Sequence, residues 1–249
     1  SAYLGRQISG GNFFKTEANI FIEGEEPGLF YGYATNGIVS NDDDVANAPS
    51  FNGSAAQLGD VYLVDQNEDG IIDNNDLTII GNPNPDFNYG FGTSFQYKNL
   101  TLSALFNGVY GNDIANGNLL REAYADNGST NVRPEAYYNA WSPDNTDGTF
   151  PRVGYDLADD TGFTDRIVED GSFLRLANVT LGYTVPFPEN SKIENMYISV
   201  SGQNLLLFTN YSGLDPEANS FTFDPGRVGV DWNSFPNQRT FTLALNVTF

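Results

Sequence analysis

Apolar and polar side chains alternate strictly along the last nine residues of the chain, 241–249. The odd-numbered positions carry Phe241, Leu243, Leu245, Val247 and Phe249, and the positions between them carry small or polar side chains. Because successive side chains of a β-strand point to opposite faces, this segment predicts a strand with one apolar and one polar face. Such a strand is typical of a wall between lipid and a wet lumen, although the last strand of a soluble sandwich would alternate in the same way.

Four further segments show the same alternation and have the length of a membrane-spanning strand, about 9–11 residues. They are residues 87–97, 100–109, 177–185 and 196–208. Aromatic side chains gather towards the ends of these segments, as in the interfacial girdles of outer-membrane barrels. Together with the terminal segment they predict an all-β fold class, with five strands of a transmembrane antiparallel β-barrel.

The connections between these segments alternate in length. Lys98 and Asn99 form a tight turn and residues 186–195 a short one, whereas residues 110–172 and 209–237 form long connections. Outer-membrane barrels have short periplasmic turns and long extracellular loops, so both long connections and residues 1–86 are expected outside the cell.

Two stretches of the longer connection also predict short helices. These are residues 114–126 and residues 134–141, the second with Pro134 in its first turn. The predicted organisation is therefore an extracellular segment over 1–86, followed by barrel strands and loops over 87–249.

Five strands do not close a membrane barrel, because unpaired backbone groups at a sheet edge are not tolerated in lipid. We therefore expect the chain to be a piece of a larger barrel. The strand at 87–97 is expected to connect through its preceding segment to strands of an N-terminal portion, and the strand at 241–249 to pair with that portion's first strand. Whether the piece arises by proteolysis, from a split gene or as part of a longer chain stays open.

Composition narrows the possible functions. The 249 residues include 32 Asp and Glu against 11 Lys and Arg, a formal net charge of −21, which argues against a nucleic-acid partner. The acidic residues concentrate in the predicted loops. The chain has neither cysteine nor histidine, which excludes disulfides, zinc sites built on these residues and His-based catalysis, and no enzyme is predicted. No run of about 18 apolar residues predicts a transmembrane helix.

Residues 65–76 follow the EF-hand loop pattern, in which oxygen ligands recur at fixed offsets around a central glycine. Gly70 holds the glycine position, and Asp76 replaces the usual final Glu, which makes bidentate ligation less certain. The predicted calcium ligands are Asp65, Asn67, Asp69, Ile71 through its carbonyl, Asp73 and Asp76. The alternative is an Asp/Asn/Gly-rich turn that binds no metal.

Short motifs recur in a fixed order across nearly the whole chain. They include Phe30-Tyr31-Gly32-Tyr33, Gly59-Asp60-Val61, the loop at 65–76, Ile80-Gly81-Asn82-Pro83, Ser172-Phe173-Leu174-Arg175-Leu176, Val179-Thr180-Leu181-Gly182-Tyr183, Gln203-Asn204-Leu205-Leu206 and Leu214-Asp215-Pro216-Glu217. In this order, and with the closing aromatic strand, they resemble the C-terminal part of the SusC/RagA family of TonB-dependent outer-membrane transporters.

The resemblance implies a 22-stranded barrel with an N-terminal plug, energised by TonB, in the outer membrane of a Bacteroidetes-like Gram-negative bacterium. It also implies a SusD-like surface lipoprotein that closes over the barrel as a lid, and import of glycans or peptides. The loops at 110–172 and 209–237 would then meet that lid. The competing hypothesis is a calcium-stabilised cell-surface adhesin or binding module whose β-structure is soluble. The sequence leaves the substrate-binding residues unknown.

Overall fold

The computed structural model describes residues 8–9, 17–22, 24–122, 131–155, 163–188, 191–221 and 227–249. The chain divides into two compact units. Unit 1 comprises residues 1–84, 113–169 and 218–234, and unit 2 comprises residues 85–112, 170–217 and 235–249. None of the helices in the described part is long and apolar enough to cross a membrane.

The secondary structure is dominated by strands, which confirms the predicted all-β class. The strands are β1 Ile8–Ser9, β2 Glu17–Ile20, β3 Leu29–Tyr33, β4 Thr35–Ile38, β5 Ser50–Phe51, β6 Val61–Leu63, β7 Ile71–Ile72, β8 Leu77–Gly81, β9 Phe87–Tyr97, β10 Leu100–Tyr110, β11 Asp113–Asn116, β12 Val168–Asp170, β13 Phe173–Val185, β14 Asn195–Thr209, β15 Val230–Asp231 and β16 Thr240–Thr248. The helices are α1 Asp42–Asn47, α2 Leu119–Glu122 and α3 Pro134–Tyr138, with 3₁₀ turns at Asn74–Asp76 and Asp165–Ile167.

Unit 2 is built on one five-stranded antiparallel sheet in the order β16-β14-β13-β10-β9. All five strands predicted from the alternating segments are therefore present, with small changes at their ends. β13 begins four residues earlier than predicted, at Phe173. Within the described residues β9 and β16 each pair with a single strand, so both edges of this sheet have unpaired backbone groups.

The short and long connections lie at opposite ends of this sheet. Tyr97 pairs with Leu100 across the two-residue turn, and Asn195 at the start of β14 pairs with Thr248 at the end of β16. Lys98 takes a left-handed φ of 53° in the turn, and the side chain of Asn99 donates to the carbonyl of Thr184 at 2.9 Å. The predicted alternation of tight and long connections is thus present in the topology.

Unit 1 assembles the chain before β9, most of the chain between β10 and β13, and part of the chain between β14 and β16 around one hydrophobic core. The sheets β1-β2-β3-β8 and β12-β11-β15, with the pairs β4-β6 and β5-β7, frame this core. Its buried members include Ala18, Phe30, Tyr33, Val61, Leu63, Ile72, Ala115, Phe163, Ile167 and Val230. The sequence pattern predicted these three stretches as separate loop segments. It did not predict that they share a core.

One predicted helix is wrong over part of its length. Residues 114–116 belong to strand β11, because Ala115 and Asn116 pair in parallel with Val230 and Asp231 of β15. The helix that follows is α2, at Leu119–Glu122, and the rest of the predicted helix, 123–126, lies outside the described residues. The second predicted helix is confirmed as α3, which begins at Pro134, where the missing N–H of proline costs no hydrogen bond.

Candidate functional site

The register of the five-stranded sheet gathers the large apolar side chains onto one face, here called the outer face. A single row across all five strands consists of Phe95, Leu102, Leu181, Val200 and Leu243, each opposite the next. All five are exposed, Leu243 by 75%. Further exposed apolar side chains of this face are Phe87, Phe91, Tyr97, Leu100, Tyr110, Tyr183, Ile198, Leu206, Phe208, Phe241 and Leu245. An apolar surface of this extent is characteristic of contact with lipid or another protein rather than with water.

The opposite face of the same strands, here called the inner face, carries mainly small and polar side chains. Its larger members include Leu105, Tyr197 and Leu207. One row across it consists of Ser94, Ser103, Thr180, Ser201 and Thr242, each opposite the next. A continuous row of hydroxyl groups suits a surface in contact with water, because each hydroxyl can donate and accept hydrogen bonds. The sheet thus has one apolar and one largely polar face, as the alternating segments predicted.

An arginine interrupts the inner face where β13 begins. Arg175 lies opposite Asn107 and Leu207, and the residue is only 4% exposed. Its Nη2 contacts Oδ1 of Asp215 at 2.6 Å and Oε2 of Glu217 at 2.9 Å. The guanidinium therefore binds two carboxylates on the segment that follows β14.

Asp215 connects both ends of the long connection between β14 and β16. Its Oδ2 accepts the backbone N–H of Asn237 at 2.9 Å, and its Oδ1 accepts the N–H of Glu217 at 3.0 Å. Burial raises the pKa of the Asp215 carboxyl, but the hydrogen bonds from these two N–H groups and from Arg175 outweigh burial and hold the pKa below its usual value. The Arg175 cluster is defined as Arg175, Asp215, Glu217 and Asn237. Its ion pairs and hydrogen bonds attach the connection between β14 and β16 to strand β13.

The predicted calcium loop at 65–76 has a compact backbone organised by its own acidic side chains. Oδ2 of Asp65 accepts the N–H of Gly70 at 2.6 Å, and Oδ1 accepts the N–H of Glu68 at 2.7 Å. Oδ1 of Asp69 accepts the N–H of Ile71 at 2.9 Å. Gly70 has a φ of 84°, which confirms that this position requires the left-handed conformation glycine adopts freely.

The end of the loop is closed by Asp73 and Asp76. They form a reciprocal capping box around the 3₁₀ turn, and Oδ1 of Asp76 also accepts the N–H of Gln66 at 2.8 Å. Asp76 is fully buried. Burial, followed by the charges of Asp76 and Asp73, raises the pKa of Tyr33, so the field of these carboxylates reaches the core of unit 1.

The first and last acidic residues of the loop also interact with each other. Loss of hydration raises the pKa of Asp65, but hydrogen bonds from the N–H groups of Gly70, Glu68 and Asp69, with a contribution from the side chain of Asp76, outweigh it and hold the pKa below its usual value. Two carboxylates in one another's reach repel unless a proton or a cation lies between them.

The residues of this loop have the oxygen ligands that calcium prefers, but their side chains are not arranged around a common point. Carboxylate, amide and carbonyl oxygens are the ligands that calcium prefers. Among the described residues, however, no group of three or more acidic side chains is gathered at metal-binding separation. The side chains of Asp65, Asn67, Asp69 and Asp73 instead accept backbone N–H groups within the loop.

The alternating pattern predicted the residues of the apolar outer face, and the acidic run predicted the loop at 65–76, but no pattern predicted the contacts of the Arg175 cluster. The signal was present as an arginine between two leucines at the start of an alternating strand. The partner residues lie 40 and 42 positions further along the chain, at Asp215 and Glu217, and nothing in the local pattern pairs them with Arg175.

Comparison with known proteins places these features in context. The chain is 36% identical over 245 residues to TonB-dependent receptor P3 of Formosa agariphila, covering 96% of this chain and 24% of the receptor. It is 30% identical over 198 residues to TonB-dependent receptor SusC of Bacteroides thetaiotaomicron, covering 75% of this chain and 17% of SusC. The chain thus spans a quarter or less of the length of these relatives. No model of a protein family matches the chain.

The fold is similar to that of a solved transporter. The RagAB peptide importer in its closed-closed state superposes with a TM-score of 0.70 over 96% of this chain and 24% of the importer chain, at 23% sequence identity. The predicted resemblance to a part of a SusC/RagA-type protein is confirmed by these comparisons, as is the predicted class of barrel strands. The total of 22 strands stays a prediction. The relatives are named receptors and importers rather than enzymes, in agreement with the prediction that the chain is not an enzyme.

Proposed function

We propose that this SusC/RagA-like segment forms part of the barrel wall and part of the extracellular surface of a TonB-dependent outer-membrane transporter. The observation that carries the proposal is the pair of adjacent rows across unit 2, one apolar and exposed, the other hydroxyl-bearing. Such rows suit a wall with lipid on one side and an aqueous lumen on the other. A soluble adhesin would leave the apolar row facing water.

The unpaired edges of β9 and β16 support the inclusion of this segment in a larger barrel. In hydrocarbon each unsatisfied backbone group costs several kcal/mol, so both edges need partner strands. We propose that the remaining strands and a plug come from the N-terminal portion of the same transporter, which also contacts TonB. The partner above the barrel would be a SusD-like lipoprotein, and the cargo glycans or peptides.

Membrane location is tested by cell fractionation. The protein that contains this segment should sediment with outer membranes and be released by detergent but not by high salt or carbonate. A segment recovered in the aqueous fraction without detergent would contradict the barrel and favour the soluble adhesin.

Transport is tested by growth of a strain lacking the gene on single glycans and single peptide mixtures. Growth on one such nutrient should be lost and should return with the intact gene but not with a gene lacking the plug. Affinity purification of the intact protein should recover a SusD-like lipoprotein. Growth that is unchanged on every nutrient that the parent strain uses would contradict an import role.

We also propose that the loop at 65–76 binds calcium through Asp65, Asn67, Asp69, the carbonyl of Ile71, Asp73 and Asp76. The support is the ligand chemistry, the left-handed Gly70 and the contribution of Asp76 to the pKa of Asp65. Bound calcium would neutralise these carboxylates and stabilise the loop. Its role would be structural.

Calorimetric titration of the complete protein with calcium, and then with magnesium, tests this site. Calcium should bind more tightly than magnesium, because calcium accepts six to eight oxygen ligands in varied geometry, whereas magnesium demands a near-ideal octahedron. Asp65→Asn should weaken the calcium heat signal, whereas Asp144→Asn, which alters an exposed acidic residue outside the loop, should not. No heat of binding in the unaltered protein at saturating calcium would contradict the site.

A further inference from the structure

A cavity of about 260 Å³ lies within unit 1, beside strand β5. Phe51 of its lining pairs with Ile72 of the loop at 65–76. Its lining combines two aromatic rings, an ion pair, and neutral amide and hydroxyl groups. The residues that carry the argument are Phe51, Asn52, Gln57, Asp60, Arg152 and Tyr155. Ligand pockets for drug-sized molecules measure roughly 300–1,000 Å³, so this cavity suits a ligand of about one ring.

The guanidinium of Arg152 is held in a fixed position at this cavity. Its Nε donates to Oδ1 of Asp60 at 2.8 Å, and its charged group lies 5.8 Å from the centre of the Tyr155 ring. The backbone N–H of Arg152 donates to the carbonyl of Gly59 at 2.8 Å. The described part of the chain offers no further hydrogen bond to this side chain, so the Nη groups keep their donors for a ligand.

The backbone next to this arginine is packed too closely for any side chain except that of glycine. Gly59 has a φ of 85°, and a Cβ there would lie 2.6 Å from the ring of Trp141 and 2.7 Å from Cβ of Arg152. This contact fixes the stem of Arg152 against the chain that carries Asp60. Oδ2 of Asp60 in turn accepts the N–H of Gln57 at 2.9 Å. The planar groups of Arg152 and Asp60 are thus positioned before any ligand arrives.

Charge decides which class of ligand this arrangement favours. The charge of Arg152 is already compensated by Asp60, and the chain as a whole carries a formal net charge of −21, which repels anions. An anionic ligand would therefore find no uncompensated positive charge in the lining. Neutral hydroxyl groups, by contrast, can accept from the Nη donors of Arg152 and exchange hydrogen bonds with the amides of Asn52 and Gln57.

The apolar part of the lining fits the same ligand. Phe51 and Tyr155 contribute ring surface beside the polar groups, and a sugar ring presents C–H groups on its faces and hydroxyl groups at its edge. We infer that this cavity is a subsite for one neutral sugar residue of a glycan, held by Arg152, Gln57 and Asn52. The inference deepens the proposed transport function, which leaves glycans and peptides open, by naming a site and choosing neutral sugars. It rests on that function only for the role of the sugar as cargo.

Saturation-transfer NMR on the complete protein in detergent tests the site with defined probes. The probes are a panel of neutral mono- and disaccharides, glucuronate as an acidic sugar, and trialanine as a peptide. At least one neutral sugar should bind, and Arg152→Lys should weaken it about 5- to 10-fold, as expected when neutral hydrogen bonds are lost while the charge stays. Gln57→Ala should weaken it in the same direction, because its side chain lines the cavity without bonding to described residues.

The matched control is Arg239→Lys, which changes an exposed arginine outside the cavity and should leave sugar binding unchanged. Binding of glucuronate or trialanine in preference to every neutral sugar would overturn the inference. So would sugar binding that is insensitive to both cavity variants, or no binding of any neutral sugar. Import is measured separately in cells. If the unaltered protein binds the sugar but supports no import, the result contradicts the proposed function and leaves the sugar site intact.

Discussion

Phe30 in unit 1 and Phe241 in unit 2 are phenylalanines on strands, yet their surroundings are opposite. Phe30 is fully buried, whereas Phe241 is 73% exposed. In unit 1 the apolar side chains of several short strands converge on one core, as in a water-soluble domain. In unit 2 the apolar side chains of five long strands point away from the polar face and meet no common core. The same residue type therefore lies in different surroundings in the two units, a packed protein core in one and an exposed sheet face in the other, which we propose contacts lipid.

The largest expected effect is the loss of stability when phenylalanine is replaced by alanine, which should differ between the two surroundings. Phe30→Ala should destabilise unit 1 by about 3–5 kcal/mol, because it leaves a cavity in a packed core. Phe241→Ala should cost much less, because lipid or detergent fills the space. Hydrogen exchange of the complete protein in detergent, followed separately in each unit, measures both. Equal losses of protection would contradict the assignment of the two surroundings.

The next effect tests which face of the sheet meets lipid. Leu245→Arg places a charge on the outer face and should cost about 2–4 kcal/mol if the residue lies near the midplane of the membrane. Asn246→Arg places the same charge on the inner face, where water can solvate it, and should be milder. Unfolding in lipid vesicles gives the two free energies. If both variants insert equally well, the faces are misassigned.

A smaller effect concerns the Arg175 cluster of unit 2, where buried charged groups replace the apolar contacts found in the core of unit 1. The folded pKa of Asp215 lies below its usual value of about 3.9, so its stabilising contribution is complete well above that pH and is lost as pH falls through the folded pKa. Protection of residues 210–217 and 235–237 from hydrogen exchange should therefore fall under acidic conditions.

Asp215→Asn should remove this pH dependence and cost about 1–3 kcal/mol at neutral pH, because hydrogen bonds to Arg175 and Asn237 are lost or misdirected. Asp144→Asn serves as the control, since it changes an exposed carboxylate outside the cluster. A variant that keeps the acid-induced loss would show that another group titrates.

The smallest effect is confined to the acidic loop of unit 1. Asp69→Ala removes the acceptor of the Ile71 N–H and one proposed calcium ligand, so proteolysis within residues 65–76 should become faster in the presence of calcium. Hydrogen exchange in the sheet of unit 2 should stay unchanged. If calcium does not slow cleavage of the unaltered protein, or if the variant is cleaved no faster than the unaltered protein in calcium, the loop is not stabilised by calcium.

Much of unit 2 was predictable because its information is local. Alternation along 87–97 and 241–249 predicts the strands, and the two-residue turn at Lys98 and Asn99 sets the register of one hairpin. The loop at 65–76 was predictable for a similar reason, since a run of acidic residues around Gly70 organises its own backbone.

The contacts of unit 1 were not predictable, because they join residues far apart in the chain. Ala115 is strand-paired to Val230 by tertiary context, which overrides the local helical pattern at 114–116. The cavity at Arg152 likewise depends on Gly59 and Asp60, some ninety positions earlier, and on the fixed geometry of their contact.

The sequence alone determined that long strands would present one apolar and one polar face, because side-chain direction follows from residue parity. It also determined the position of the acidic loop at 65–76 and of its central Gly70. Only the tertiary structure decided that three separate stretches share one core, that Arg175 meets Asp215 and Glu217, and that Arg152 is held beside a cavity. Those outcomes depend on which distant segments can be packed together with their buried polar groups paired, and no local pattern encodes that choice.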